Sequence, residues 1–280
     1  MDKKLIDLFI KNAIAEDLGD GDHTSMSTIP AGATGKAKLL VKEDGILAGV
    51  ELALEIFRQI DPTLYTEVFL NDGDEVKYGD IAFTVSGSSH AILLAERLVL
   101  NCMQRMSGIA TKTNRIVHLL SPYQTRLLDT RKTTPGMRYL EKWAVRIGGG
   151  VNHRIGLYDM ILIKDNHVDY AGGIANAITA ANDYLADKGK YLEIEIEVRN
   201  LEELDQVLAK GMVNRIMLDN FSFDDLKTAV KVIDHRFITE ASGGITEENI
   251  TEYADCGVDY ISMGALTHSV KSLDMSLKAY

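Results

Sequence analysis

Four short strand-like runs lead into charged residues: Arg131 and Lys132 in DTRKTTPG and Lys164 in ILIKDNH, which can hold an anion, and Glu197 in EIEV and Asp219 in MLDN, which can hold a cation or accept from hydroxyls. Between Arg126 and Lys164 there are eight basic residues against three acids, a local balance of +5 inside a chain whose net charge is -11. Screening at physiological salt acts over about 8 Å, so the local cluster, not the distant acids, decides what binds there. It should attract anions. Arginine meets planar carboxylates and phosphates with paired hydrogen bonds, each contributing roughly 1.5 to 3 kcal/mol. Not all eight cations need take part: Arg138, Lys142 and Arg146 recur every four residues, and a solvated helix face accounts for them equally well.

Two later segments suit phosphate. EASGGI, with Ser242 and Gly243, and SMGALTHS, with Gly264, are glycine-bearing turns between a late strand and a helix. Backbone N–H groups and a helix dipole favour an anion at such a place. Glu197 and Asp219, at neighbouring strand ends, suit Mg²⁺ held directly or through water, or ribose hydroxyls; ion pairs with nearby cations are the plainer alternative. Lys164 follows a strongly apolar strand, which fits an anion contact or a Schiff-base lysine. His153, beside Arg154 in GGGVNHRIGL, reads either as a donor to an anion or as a satisfied loop residue, and His268 is equally open.

These residues need a scaffold. From residue 125 the pattern of apolar strand, turn and helix repeats six times, with strands at TRLLDT, YDMILIKDN, YLEIEIEV, RIMLDN, RFITEAS and DYISMG. Such alternation implies right-handed parallel units. Nearly every strand ends in a chemically capable residue, as in a barrel, whose strand ends meet at one mouth. Six units are fewer than eight, so the barrel should be incomplete. The first part reads as α+β, with a helix near residues 4 to 16, strands in GKAKLLVKEDGILAG and LYTEVFL, and a small hairpin in GDEVKYGDIAFTVSG. Residues 90 to 119 read as one long helix with an interruption at Gly108; Arg97, Asn101 and Gln104 form a polar line along it at helical spacing.

Composition bounds the function further. With 280 residues, 46% hydrophobic and 25% charged, the chain has an ordinary globular make-up. The acidic balance argues against nucleic-acid binding, and no apolar run reaches the 18 residues of a membrane span. The start carries acids every few residues rather than a signal-peptide core, so a cytoplasmic protein is expected. Cys102 and Cys256 lie far apart, outside any zinc or disulfide pattern, and should be small buried residues.

Taken in order, EDLGDGDHTS, AERLVLN, DTRKTTPGMR, GGGVNHRIGLYDMILIKDNH, EIEV, MLDNF, EASGGI and ISMGALTHS resemble the quinolinate phosphoribosyltransferase family over nearly the whole chain. The resemblance implies an α/β protein with an N-terminal α/β sandwich domain (1–110), an incomplete TIM-like α/β barrel (111–267) and a C-terminal tail (268–280) returning to the first domain. It implies that quinolinate and phosphoribosyl pyrophosphate give nicotinate mononucleotide, pyrophosphate and CO2, with Mg²⁺. Quinolinate would be held by Arg131, His153, Arg154 and, from a neighbouring subunit of a homodimer or larger assembly, Arg97. Lys132, Lys164, Glu197 and Asp219 match the catalytic positions near phosphoribosyl pyrophosphate, and Ser242, Gly243, Gly264 and His268 its phosphate-binding turns. Two other readings compete: a relative acting on another aromatic acid, and a Schiff-base barrel aldolase using Lys164.

Overall fold

The computed structural model describes residues 3–280. Its first run of elements is α1 (Lys3–Leu18), α2 (His23–Thr28), β1 (Thr34–Val41), β2 (Gly45–Ile46), α3 (Val50–Ile60), β3 (Tyr65–Val68), β4 (Glu75–Val76), β5 (Ile81–Ser88) and α4 (Ser89–Leu119). The second is β6 (Arg126–Leu128), α5 (Arg138–Ile147), β7 (Ile161–Ile163), α6 (Asp165–Ala171), α7 (Ile174–Lys188), β8 (Ile194–Val198), α8 (Leu201–Lys210) and β9 (Arg215–Asp219). There follow α9 (Phe223–Ile233), β10 (Ile238–Ser242), α10 (Ile250–Ala254), β11 (Tyr260–Ser262), α11 (Ala265–His268) and β12 (Met275–Ala279). The chain forms two compact units. One gathers the chain up to Asn114 with Thr133–Gly149 and Leu266–Tyr280; the other comprises Arg115–Lys132 and Gly150–Ala265.

In the first unit four strands form an antiparallel sheet in the order β12-β1-β5-β3. Alternation along β1 buries Ala37, Leu39 and Val41 on one face. On α3, Val50, Ala53, Ile56 and Phe57 recur at helical spacing and are buried, and Phe57 meets Phe83 of β5 edge to face at 5.8 Å. Each such side chain contributes about 1.5 to 3 kcal/mol by leaving water. The hairpin expected within residues 73 to 87 does not form. β5 has both edges occupied by β1 and β3, so β4 turns away and pairs with β2 instead.

The long helix α4 is continuous through Gly108, contrary to the expected interruption. The glycine has another use. A Cβ there would lie 2.3 Å from the carbonyl oxygen of Lys271, so only glycine lets the last segment of the chain cross the helix this closely. Beside it, Leu273 N–H donates to the Gln104 carbonyl at 3.0 Å and the Gln104 amide donates to the Met275 carbonyl at 2.9 Å. These contacts deliver β12 to its place against β1, with Val41 opposite Met275 and Ala37 opposite Ala279. Gln104 thus leaves the polar line, on which Arg97 and Asn101 stay exposed.

The second unit holds six parallel strands in the order β6-β11-β10-β9-β8-β7. All six expected strands are present. Among the described residues no strand joins β6 to β7, so the row stays open and the barrel is incomplete. The Gly108 contact has a measurable consequence. Gly108→Ala should lose about 1 to 3 kcal/mol through overpacking, read as a lower melting temperature, whereas Gly32→Ala, which meets nothing within 4 Å, should melt like the parent. Equal melting of the two variants would refute the close-approach reading.

Candidate active site

Parallel pairing fixes which side chains share a face of the second unit's sheet. Glu195 lies opposite Arg215, Glu197 opposite Met217, Met217 opposite Glu240, and Asp219 opposite Ser242. Successive residues of a strand point to opposite sides. One face therefore carries Ile194, Ile196, Val198, Ile216, Leu218 and Ala241, all buried. The other carries Glu195, Glu197, Asp219, Glu240 and Ser242. Asp219 and Ser242 are the last residues of β9 and β10, Glu197 is one from the end of β8, and Lys164 directly follows β7.

Deeper on that face lies a buried charge cluster. His153 Nε2 is 2.8 Å from Glu195 Oε2 and 3.4 Å from Glu240 Oε2, and Arg215 Nη1 is 3.5 Å from the same Glu240 oxygen. Burial and the neighbouring Glu240 charge push Glu195 up to about 7. Burial acts on Glu240 in the same sense, yet the proximity of His153 and Ser262 and the Arg215 charge hold it below the usual carboxylate range. For His153, burial alone would lower the pKa, but both carboxylates outweigh it and raise it to about 9. The ring's Nδ1 sits 2.7 Å from the Arg154 N–H, a contact that favours the neutral form. Two buried carboxylates outweigh one contact between adjacent residues, since an uncompensated buried charge costs several kcal/mol, so the imidazolium prevails at neutral pH. His153, Glu195 and Glu240 place ligand atoms within 4.8 Å of one another, close enough for a metal ion. The Arg215 guanidinium already supplies countercharge there, and the cluster reads as an ion-pair network.

Beside this cluster are the cations. Asp129, fully buried after β6, accepts from the His153 N–H at 2.9 Å and from the Asn152 amide at 2.5 Å, which fixes the loop carrying His153 and Arg154. Arg154 is buried, and its pKa is lowered first by burial and then by the charge of Arg131. Two guanidinium groups that repel each other form a place where a bound dianion would relieve strain. Lys132 is exposed, its N–H donating to Thr130 Oγ1 at 3.0 Å. Lys164 Nζ stands 3.5 Å from Glu197 Oε2. Burial raises Glu197, Lys164 opposes this, and the Asp219 charge adds to it, so the two carboxylates feel each other.

Models of both domains of one family match this chain: quinolinate phosphoribosyl transferase, N-terminal domain, over residues 22–107, and its C-terminal domain over residues 109–278. The chain belongs to the quinolinate phosphoribosyl transferase family. An Arabidopsis thaliana relative, the chloroplastic nicotinate-nucleotide pyrophosphorylase [carboxylating], is 50% identical over 96% of this chain and 81% of its own length. A probable nicotinate-nucleotide pyrophosphorylase [carboxylating] of Bacillus subtilis is 43% identical over 98% of this chain and 92% of its own. The solved nicotinate-nucleotide pyrophosphorylase of Francisella tularensis superposes with a TM-score of 0.91 at 40% identity, covering 100% of this chain and 98% of that one.

Within this quinolinate phosphoribosyl transferase scaffold, Arg131, Lys132, His153, Arg154, Lys164, Glu197, Asp219, Ser242, Gly243 and Gly264 all fall in the second unit, and Arg97 and His268 in the first. Arg97 and His268 are exposed, and His268 Nδ1 is 2.6 Å from Ser269 Oγ. A helix dipole behind the glycine turns is not available as expected. α10 begins only at Ile250 and α11 has four residues, so any anion there meets turn backbone instead. Of the two readings open for Arg138, Lys142 and Arg146, a solvated face fits Arg146 alone: Lys142 is buried, and Arg138 Nε donates to Thr133 Oγ1 at 3.0 Å. His167 caps α6 by accepting the Lys164 N–H at 2.9 Å. A Schiff-base lysine calls for a desolvated pocket or a cationic neighbour; Lys164 is exposed and beside Glu197 instead. The sequence reading missed Glu195, Glu240 and Arg215. Strand alternation was the available signal, since Glu195 and Glu240 stand two residues before Glu197 and Ser242.

The His153 shift carries a sign. A folded-state pKa raised from 6.5 to about 9 gives stability that is complete below about pH 6.5 and lost as pH rises through about 9. Nitrogen NMR of the imidazole should show that midpoint in the parent, and a fall toward the ordinary value in Glu240→Gln. A parent midpoint near 6.5 would overturn the charged-cluster description.

Proposed function

We propose that this chain transfers the phosphoribosyl group of phosphoribosyl pyrophosphate to quinolinate with decarboxylation, yielding nicotinate mononucleotide, pyrophosphate and CO2 for NAD biosynthesis. The observation that carries the reading is the gathering of Arg131, Lys132, Arg154 and Lys164 with Glu197 and Asp219 at parallel strand ends, in a chain of this family. Arg131 and Arg154 take the quinolinate carboxylates by paired hydrogen bonds. His153, held between Glu195 and Glu240, adds the positive charge of its imidazolium behind them. Arg97 reaches the site from the second subunit of a homodimer. Ser242, Gly243, Gly264 and His268 receive the phosphate of the ribosyl group.

Two carboxylates at neighbouring strand ends, close enough to repel, are the hard oxygen donors that suit Mg²⁺, held by Glu197 and Asp219 directly or through water. When bound, the ion supplies positive charge to the pyrophosphate. Lys132 and Lys164 neutralise the same leaving group, while Glu197 and Asp219 stabilise the cationic ribosyl centre that the pyridine nitrogen attacks. Positioning and electrostatics carry this step. The alkylated ring nitrogen is positive and stabilises the carbanion left when the adjacent C2 carboxylate departs as CO2, until C2 takes up a proton from water, so the arginines must not hold that carboxylate too firmly. The reading also places the enzyme in the cytoplasm, a reducing compartment that suits its two free, buried cysteines.

Quinolinate-dependent release of pyrophosphate and CO2 is the direct assay, and its absence would refute the reading. Arg131→Ala should lose most quinolinate binding by calorimetry and keep most phosphoribosyl pyrophosphate binding; equal loss of both would contradict the assignment. Mixing Arg97→Ala with Lys164→Ala subunits should restore up to about one quarter of parental activity, since half the dimers are mixed and each has one intact site. No recovery after confirmed subunit exchange would rule out a shared site.

A further inference from the structure

Asn220 belongs to neither substrate in the reading above, yet its geometry is unusual. It adopts the left-handed conformation, φ 56°, one residue past β9. Asparagine tolerates that region better than most residues with a side chain. Its amide Nδ2 donates to Asp219 Oδ2 at 2.6 Å, and its backbone N–H donates to the Ser242 carbonyl at 2.8 Å. The amide also lies against Gly243, where an added Cβ would fall 2.2 Å from Asn220 Oδ1 and 2.5 Å from its Cγ. The nearest atoms that such a Cβ would meet all belong to Asn220.

We infer that Asn220 is a positioning residue that joins the carboxylate tip of β9 to the glycine turn after β10, so that both meet the phosphoribosyl end of the substrate as one rigid piece. The amide occupies Asp219 Oδ2 and thereby aims the carboxylate. Gly243 has a φ of 92°, which itself favours glycine, and the Asn220 side chain lies across the turn at that point. A half-buried aspartate without that bond would be free to turn about its side-chain bonds, and the turn would lose its neighbour. The inference rests on the assignment of Asp219 and Gly243 to the phosphoribosyl pyrophosphate site.

Asn220→Gly keeps the left-handed backbone without strain and removes the amide. It should weaken phosphoribosyl pyrophosphate binding about tenfold, the worth of one hydrogen bond to a charged group, and raise its KM alike. Quinolinate affinity should stay within about twofold, as expected for a site with independent partners. Asn220→Asp keeps shape but sets a carboxylate against Asp219, and should bind phosphoribosyl pyrophosphate more weakly still. Two results would overturn the inference: parental binding by Asn220→Gly or Asn220→Asp, or equal loss of both substrates. Asp219→Asn, measured in parallel, separates the levels. Parental binding by that variant removes the site assignment and the inference together, whereas loss in Asp219→Asn with parental binding in Asn220→Gly removes the inference alone.

Discussion

Burying four ionic side chains inside one sheet is the condition on which the rest of this site depends. Taking a charge out of water costs several kcal/mol even after relaxation, and Glu195, Glu240, His153 and Arg215 tolerate it only together. Each is in reach of an opposite charge, with His153 between two carboxylates and Arg215 against one of them. Removing His153 takes the ion-pair partner from Glu195 in a place water does not reach. The loop carrying His153 and Arg154 is therefore tied to strands β8 and β10 by charge as well as by chain connectivity.

That arrangement explains how arginines can be crowded near the strand ends without collapsing onto the nearest acid. Glu195 and Glu240 are committed to His153 and Arg215, and Asp129 to the backbone of the same loop. Arg154 feels the charge of Arg131, and under the proposed function a ligand with two negative groups would relieve that repulsion. A monoanion would relieve less of it. Under the proposed function, preference for a dicarboxylate would follow from charge balance.

Much of the fold was legible from the chain, because parallel strands covered by helices on one face show a plain apolar rhythm. The six strands and the long helix announced themselves in this way, and the strand ends pointed to Lys164, Glu197 and Asp219. What stayed hidden depended on partners distant in sequence. Nothing in residues 73 to 87 says that β5 has both edges taken, and nothing around Gly108 says that residue 271 crosses it. Lys142 looked like a surface residue because its neighbours at helical spacing are charged, whereas Glu195 looked like one because acids are seldom buried. Asn220 carried no signal beyond its type, since its left-handed backbone is a property of three-dimensional packing.

The pairing of β12 with β1 also bears on how the chain is made. Some 230 residues separate the two strands, so at ribosomal speeds β1 waits on the order of 10 to 50 s for its outer neighbour. During that interval its free edge is a template for any other nascent chain. Lys36 and Lys38 sit along it, and charged residues on an open edge discourage such pairing. The arrival of β12 covers that edge, and the Lys38 ammonium comes to rest 5.5 Å from the ring centre of Tyr280.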